Sequence, residues 1–215
     1  MAMGFFDCAC GLNLMNNYIM TEKFRDKYRI PSTRLQNWDY HWAGTYFITI
    51  CAHNRENYFG EINNGEMKLS EIGIIAEQEW IKTFKMRPDM NLQMGAFVVM
   101  PNHFHSIITI GKNKYNNDFG CRDAMPCVSK NENQNKNENQ KTKRNHFGPQ
   151  SKNLASIIRG FKIGVTTRAR HIETYFAWQS LFYDILVRDK RTFDIIETYI
   201  KKNPSKWIED RFYND

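Results

Sequence analysis

Residues 96–110 read Ala96-Phe97-Val98-Val99-Met100-Pro101-Asn102-His103-Phe104-His105-Ser106-Ile107-Ile108-Thr109-Ile110. Two apolar, β-branched runs flank a Pro-Asn turn, and this pattern predicts a β-hairpin. Side chains alternate along a strand, so His103 and His105 share one face while Phe104 takes the other. Their backbones then lie about 7 Å apart, close enough for two ring nitrogens to converge on one divalent ion. A His-x-His pair also fits two half-buried polar residues bonded to neighbours. The pair alone does not decide between the two; its place directly after a turn, where functional groups reach a cleft, strengthens the metal reading.

Working outward from the hairpin, Thr45-Tyr46-Phe47-Ile48-Thr49-Ile50-Cys51 has strand composition. From Ser70, the residues Ile72, Ile75, Ala76, Trp80 and Phe84 recur at helical spacing, with Pro88 just beyond. A second helix begins at Asn153, with Leu154, Ile157, Ile158, Phe161 and Val165 as its apolar stripe. Trp178 to Val187 predicts a fourth strand. Asp189 then caps a helix running to about Lys202, which Pro204 ends. The order of strand, helix, strand, strand, helix, strand predicts an α+β, ferredoxin-like antiparallel sheet with helices on one face, and an extra C-terminal helix follows.

The chain has 215 residues, 41% of them hydrophobic, a size and composition that suit one globular domain over about residues 40–215. Residues 1–39 read as a partly disordered N-terminal extension. Residues 112–152, rich in Asn and Lys, lack the apolar residues of a core and read as a disordered insertion, because periodic patterns resume after it. The five cysteines, Cys8, Cys10, Cys51, Cys121 and Cys127, show no Cys-x-x-Cys spacing. Reduced thiols in a cytoplasmic protein are expected, and no apolar run reaches membrane-spanning length.

A net charge of +7 fits an anionic partner such as nucleic acid. On the second helix Arg159, Lys162, Thr166 and Arg170 fall on one face, which reads either as a solvated basic surface or as a stripe contacting phosphates. Trp178, Phe182 and Trp207 read as core residues or as stacking platforms for bases. On the last helix Tyr199 and Asn203 stand four residues apart and share a face. They read alone as a half-buried tyrosine and a helix terminator.

Taken together and in order, four segments resemble the single-tyrosine HUH transposases, nearest to the insertion-sequence-200-like group and its REP-associated branch. These are Tyr46-Phe47-Ile48-Thr49-Ile50-Cys51 with His53-Asn54-Arg55, then Val99-Met100-Pro101-Asn102-His103-Phe104-His105, then Ile157-Ile158-Arg159-Gly160-Phe161-Lys162, then Tyr199-Ile200-Lys201-Lys202-Asn203-Pro204. The resemblance spans roughly Tyr40 to Trp207 without the insertion. It implies that His103, His105 and Asn203 are metal ligands for Mg²⁺ or Mn²⁺, and that Tyr199 is the nucleophile. Better-known insertion-sequence members carry Gln where this chain has Asn203. The implied reaction is cleavage and rejoining of single-stranded or hairpin DNA through a 5′-phosphotyrosine intermediate. With such a substrate, Arg159, Lys162 and Arg170 are the candidate phosphate contacts, with Arg168 as a further candidate. Insertion-sequence members act as dimers and REP-associated members as monomers, so a homodimer is allowed and the oligomeric state stays open.

Two other classes compete with this expectation. A non-catalytic single-stranded nucleic-acid-binding module would share the sheet, although the usual aromatic strand signature of RNA-recognition domains is absent. A metal-dependent hydrolase would keep the histidines and have no use for Tyr199.

Overall fold

In the computed structural model, which describes residues 38, 40–116 and 151–213, strand β1 (Gly44–Cys51) pairs on both sides, antiparallel to each neighbour. A two-stranded hairpin of β2 (Gly60–Asn63) and β3 (Glu66–Leu69) follows, then helix α1 (Glu71–Lys85). Next come β4 (Leu92–Val99), β5 (His103–Ile110), helix α2 (Leu154–Ala169), β6 (Tyr183–Val187) and helix α3 (Lys190–Lys202). The four-stranded sheet runs β4-β5-β1-β6. With α1 and α2 each crossing between parallel, non-adjacent strands, this is the split β-α-β arrangement of a ferredoxin-like fold. The expected α+β class is therefore present, and the described residues all lie within one compact unit, Gln36–Asp215.

Local chemistry starts each helix where the sequence indicates. Ser70 accepts a hydrogen bond from Gly73 N, Asn153 forms a reciprocal capping box with Ser156, and Asp189 accepts from Thr192 N. Each side-chain oxygen satisfies a donor that the first turn leaves open, worth about 1 kcal/mol per cap.

Alternation along β1 and β5 divides the core. Tyr46, Ile48, Ile50, Phe104 and Ile108 form one cluster with Ile75, Trp80, Ile157, Phe161 and Val165, so α1 and α2 cover that face. Trp80 sits between Phe84, Phe104 and Phe161 at ring separations of 5.1 to 5.3 Å. Gly164 lets the two helices approach, since a Cβ there would run into the buried Glu79 carboxylate. The other sheet face carries Phe47 and Ile107, against which α3 places Ile196 and Ile200. The layers are thus α1 and α2, sheet, then α3.

Two elements differ from the sequence expectation. The fourth strand is shorter, Tyr183–Val187, because Leu181 takes a left-handed φ of 69° and breaks the run, leaving Trp178 in an isolated bridge to Ala52. The β2–β3 hairpin was not anticipated, although its Asn64-Gly65 turn, with φ of 53° and 79°, is a strong hairpin signal. The expectations for residues 1–37 and 117–150 lie outside the described residues. The described ends of the insertion are tied down. Asp89 accepts bonds from Tyr115 Oη and Lys152 Nζ, both at 2.6 Å, and buried Asn116 donates to the His41 carbonyl while the His41 ring bonds the Ser151 carbonyl.

Candidate active site

Strand β5 begins directly at His103, and the three-residue loop before it is pinned from two sides. Phe59 N donates to the Pro101 carbonyl at 2.9 Å and Ala52 N to the Asn102 carbonyl at 2.8 Å. Cys51 lies opposite His103 and Thr49 opposite His105 in the β1–β5 register. Both imidazoles therefore project from the face that α3 covers, and their ring centroids lie 4.5 Å apart.

Each ring is anchored through Nδ1. His103 Nδ1 lies 2.8 Å from Asn102 Oδ1, and His105 Nδ1 lies 2.8 Å from Thr49 Oγ1. The Nε2 atoms thus face inward. His103 Nε2 is buried and has no hydrogen-bond partner among the described residues, while His105 Nε2 lies 3.2 Å from the Tyr199 hydroxyl. Burial, reinforced by the cations Arg211 and Arg55, lowers the His103 pKa to about 3. Burial, with the neighbouring His103 adding to it, holds His105 well below the usual histidine range. Both rings are neutral near pH 7 and offer lone pairs, so binding a cation there requires no loss of ring protons.

Helix α3 supplies the next two groups. Tyr199 and Asn203 are one turn apart, as their spacing predicts, and both reach Asp210, which follows the 3-10 turn Pro204–Glu209. Asn203 Nδ2 donates to Asp210 Oδ2 at 2.9 Å, and the Tyr199 hydroxyl donates to the same oxygen at 3.4 Å. Asp210 Oδ1 accepts from Phe212 N at 2.8 Å. Asn203 Oδ1 is buried without a partner among the described residues. The ligand atoms of His103, His105 and Asp210 all fall within 4.8 Å of one another.

Two neutral imidazoles, a carboxylate and an amide oxygen form a mixed nitrogen and oxygen donor set that suits a divalent ion. The unpartnered lone pairs on His103 Nε2 and Asn203 Oδ1 fit the same reading, because a buried acceptor without a partner is costly and a cation would satisfy it. Tyr199 is 36% exposed, and its hydroxyl is held protonated, with a pKa raised by burial first and by the Asp210 carboxylate second. Phe212 lies over both histidines, with its ring centroid 4.6 Å from His103 and 6.1 Å from His105. Arg211 and Arg55 stack on Phe212, at 4.5 and 5.4 Å from its centroid.

The structure brings His103, His105, Tyr199 and Asn203 together. It does not bring the four α2 cations to them, because α2 covers the opposite sheet face. Lys162 Nζ donates to the carbonyls of Gln179 and Leu181, and burial lowers its pKa to about 8. Arg168 binds Glu79 and Gln78 of α1, Arg170 binds the Phe176 carbonyl, and Arg159 is exposed. Trp178 stacks within the core cluster and Trp207 is buried beside Met100, as core residues.

Sequence reasoning missed Asp210, Arg55 and Arg211. Asp210 and Arg211 sit in a polar stretch after Pro204 with no periodicity to single them out. The position of Arg55, just past the end of the strand paired with His103, was the available signal.

No protein-family model matches the chain. Among solved structures it is similar to a REP-associated tyrosine transposase bound to a REP hairpin, with 18% identity, a TM-score of 0.49, and coverage of 81% of this chain and 74% of that one. It is also similar to a transposase candidate from Deinococcus radiodurans R1, with 11% identity, a TM-score of 0.35, and coverage of 78% and 95%. A protein of uncharacterized function from Haemophilus influenzae (strain ATCC 51907 / DSM 11121 / KW20 / Rd) is 35% identical over 188 residues, which is 86% of this chain and 93% of that protein. At that identity and coverage, this chain belongs to the same protein family as the Haemophilus influenzae protein.

Proposed function

We propose that the chain is a metal-dependent single-stranded DNA transesterase of the single-tyrosine HUH transposase type, cleaving and rejoining hairpin-associated DNA. The observation that carries this reading is the placement of the Tyr199 hydroxyl 3.2 Å from His105 Nε2 and 3.4 Å from Asp210 Oδ2, two members of the group whose ligand atoms converge with that of His103. A tyrosine serving only the core has no need of a carboxylate and a neutral imidazole at its hydroxyl.

His103, His105 and Asp210, with Asn203 beside them, would hold Mg²⁺ or Mn²⁺. Such an ion supplies positive charge to a non-bridging oxygen of the scissile phosphate. In the proposed step the Tyr199 oxygen forms a bond to phosphorus as the bond to the 3′-oxygen breaks. The phenol proton is lost toward Asp210, and the departing 3′-oxygen takes up one proton, so the step is proton-neutral. The product is a 5′-phosphotyrosine and a free 3′-hydroxyl, and reversal on another strand rejoins DNA without ATP. Arg55 and Arg211, the two cations whose charge acts on His103, take the role of phosphate contacts at the cleaved bond.

The test is incubation of the full chain with end-labelled hairpin DNA and Mn²⁺, followed by denaturing electrophoresis. The proposal predicts a protein–DNA adduct that Tyr199→Phe abolishes. Cleavage without an adduct would point to a hydrolase. A shifted native band with no cleavage would point to a binding module.

A further inference from the structure

Asn102 reads from sequence as a turn residue, yet its side chain is fully buried and makes two bonds in opposite directions. Its Nδ2 donates to the Phe212 carbonyl at 2.8 Å, and its Oδ1 faces His103 Nδ1 at 2.8 Å. The Phe212 carbonyl can only accept, so it fixes which end of the amide is the NH₂. Rotating the amide by half a turn would set two oxygens against each other. Oδ1 is thereby fixed toward His103, and because Oδ1 can only accept, His103 Nδ1 must carry the ring proton. The neutral ring then has its lone pair on Nε2, the buried atom without a partner on a residue grouped with His105 and Asp210, while Nδ1 is taken up by Asn102.

We propose that Asn102 is a positioning residue that sets the tautomer of His103 and so aims the Nε2 lone pair into the candidate metal centre. The alternative tautomer would point an N–H into the same space and repel a cation. Partners that orient a ligating histidine through its second nitrogen typically change metal affinity by about 10-fold to 100-fold when removed. Thr49 stands in the same relation to His105, but a hydroxyl donates and accepts equally and imposes no tautomer. Asn102 alone makes the choice obligatory.

This inference rests on the reading of His103 as a ligand, but its decisive measurement needs no metal. The full chain, ¹⁵N-labelled and metal-free at neutral pH, is examined by two-bond ¹H–¹⁵N correlation of its imidazoles, with His103 assigned by loss of its signals in His103→Gln. The expected spectrum shows His103 protonated on Nδ1. In Asn102→Leu, which removes both bonds, the Nε2-protonated form should become substantially populated and Mn²⁺ affinity should fall about 10-fold or more. Asn102→Asp keeps the acceptor toward His103 and should retain the Nδ1 proton, at a cost in stability because its second oxygen meets the Phe212 carbonyl. Nε2 protonation in the unaltered chain would overturn the proposal, as would an unchanged tautomer in Asn102→Leu. Should Asn102→Leu fail to fold, the tautomer of the unaltered chain still decides. Failure of the unaltered chain to bind Mn²⁺ would sink the metal reading, whereas the tautomer decides the role of Asn102.

Discussion

At His103 a single buried ring ties stability to function. An unfolded histidine titrates near 6.5, whereas the folded ring stays neutral down to about pH 3 because burial and two nearby cations oppose its charge. Between those values the unfolded chain binds a proton that the folded chain refuses, so stability is full above about pH 6.5 and falls as pH drops through this window. Each such group contributes a slope of at most about 1.4 kcal/mol per pH unit. Denaturant midpoints measured from pH 7 to pH 4 should fall more steeply for the unaltered chain than for His103→Gln, and parallel curves would contradict the assignment. The third ligand is a matter of the same scale. Asp210 lies with the histidines, and Asn203 donates to it through the amide nitrogen. Asp210→Ala should weaken Mn²⁺ binding about 10-fold or more, and Asn203→Ala by less, as read by calorimetry; the reverse order would return the ligand role to Asn203. The histidine pair, Tyr199 and Asn203 were legible in sequence because strand and helix periods place them on shared faces. Asp210 was not, since it is brought to the site by a 3-10 turn that leaves no periodic trace.

The elements show the same division between local and long-range information. The three helix starts were readable because Ser70, Asn153 and Asp189 act within their own first turns. The β4–β5 hairpin and β1 were readable from alternation. That α3 lies across the sheet from α1 and α2 was not, because an amphipathic stripe says that a helix packs without saying on which face. The shortening of β6 depends on Leu181, whose left-handed backbone no residue preference foretells, with Lys162 bonding the Gln179 and Leu181 carbonyls. Lys162 thus serves to fasten this loop, which explains why a cation on a basic stripe does not reach the site. The ends of the insertion offer a direct test at this scale. Tyr115 and Lys152 meet on Asp89, and Asn116 and Ser151 meet on His41. Replacing residues 117–150 with a short Gly/Ser linker should therefore leave the thermal midpoint within a few degrees, because closure cost varies slowly with loop length. Loss of cooperative unfolding would show that residues 117–150 contribute to the fold.

For the molecule as a whole, charge is distributed unevenly with respect to chemistry. The chain carries a net charge of +7; Arg168 and Lys162 on α2 bond within the fold on the sheet face away from the histidines, whereas Arg55, which donates to the Arg211 carbonyl, and Arg211 both stack on Phe212 beside the histidines. Arg55→Gln with Arg211→Gln should weaken binding of single-stranded DNA and lower the slope of log affinity against log salt by about 1.4. Arg168→Gln should act oppositely, lowering stability through the buried Glu79 and sparing DNA affinity. Equal effects of both changes on binding would place the DNA path across α2 instead. Among the described residues no helix is long and apolar enough to cross a membrane. Whether the Tyr199 oxygen is the atom that attacks DNA is decided by peptide mapping of the covalent adduct by mass spectrometry. The account predicts a nucleotide 5′-phosphate attached to the peptide containing Tyr199; attachment at Tyr175 or Tyr183, or cleaved DNA with no attached peptide, would contradict it.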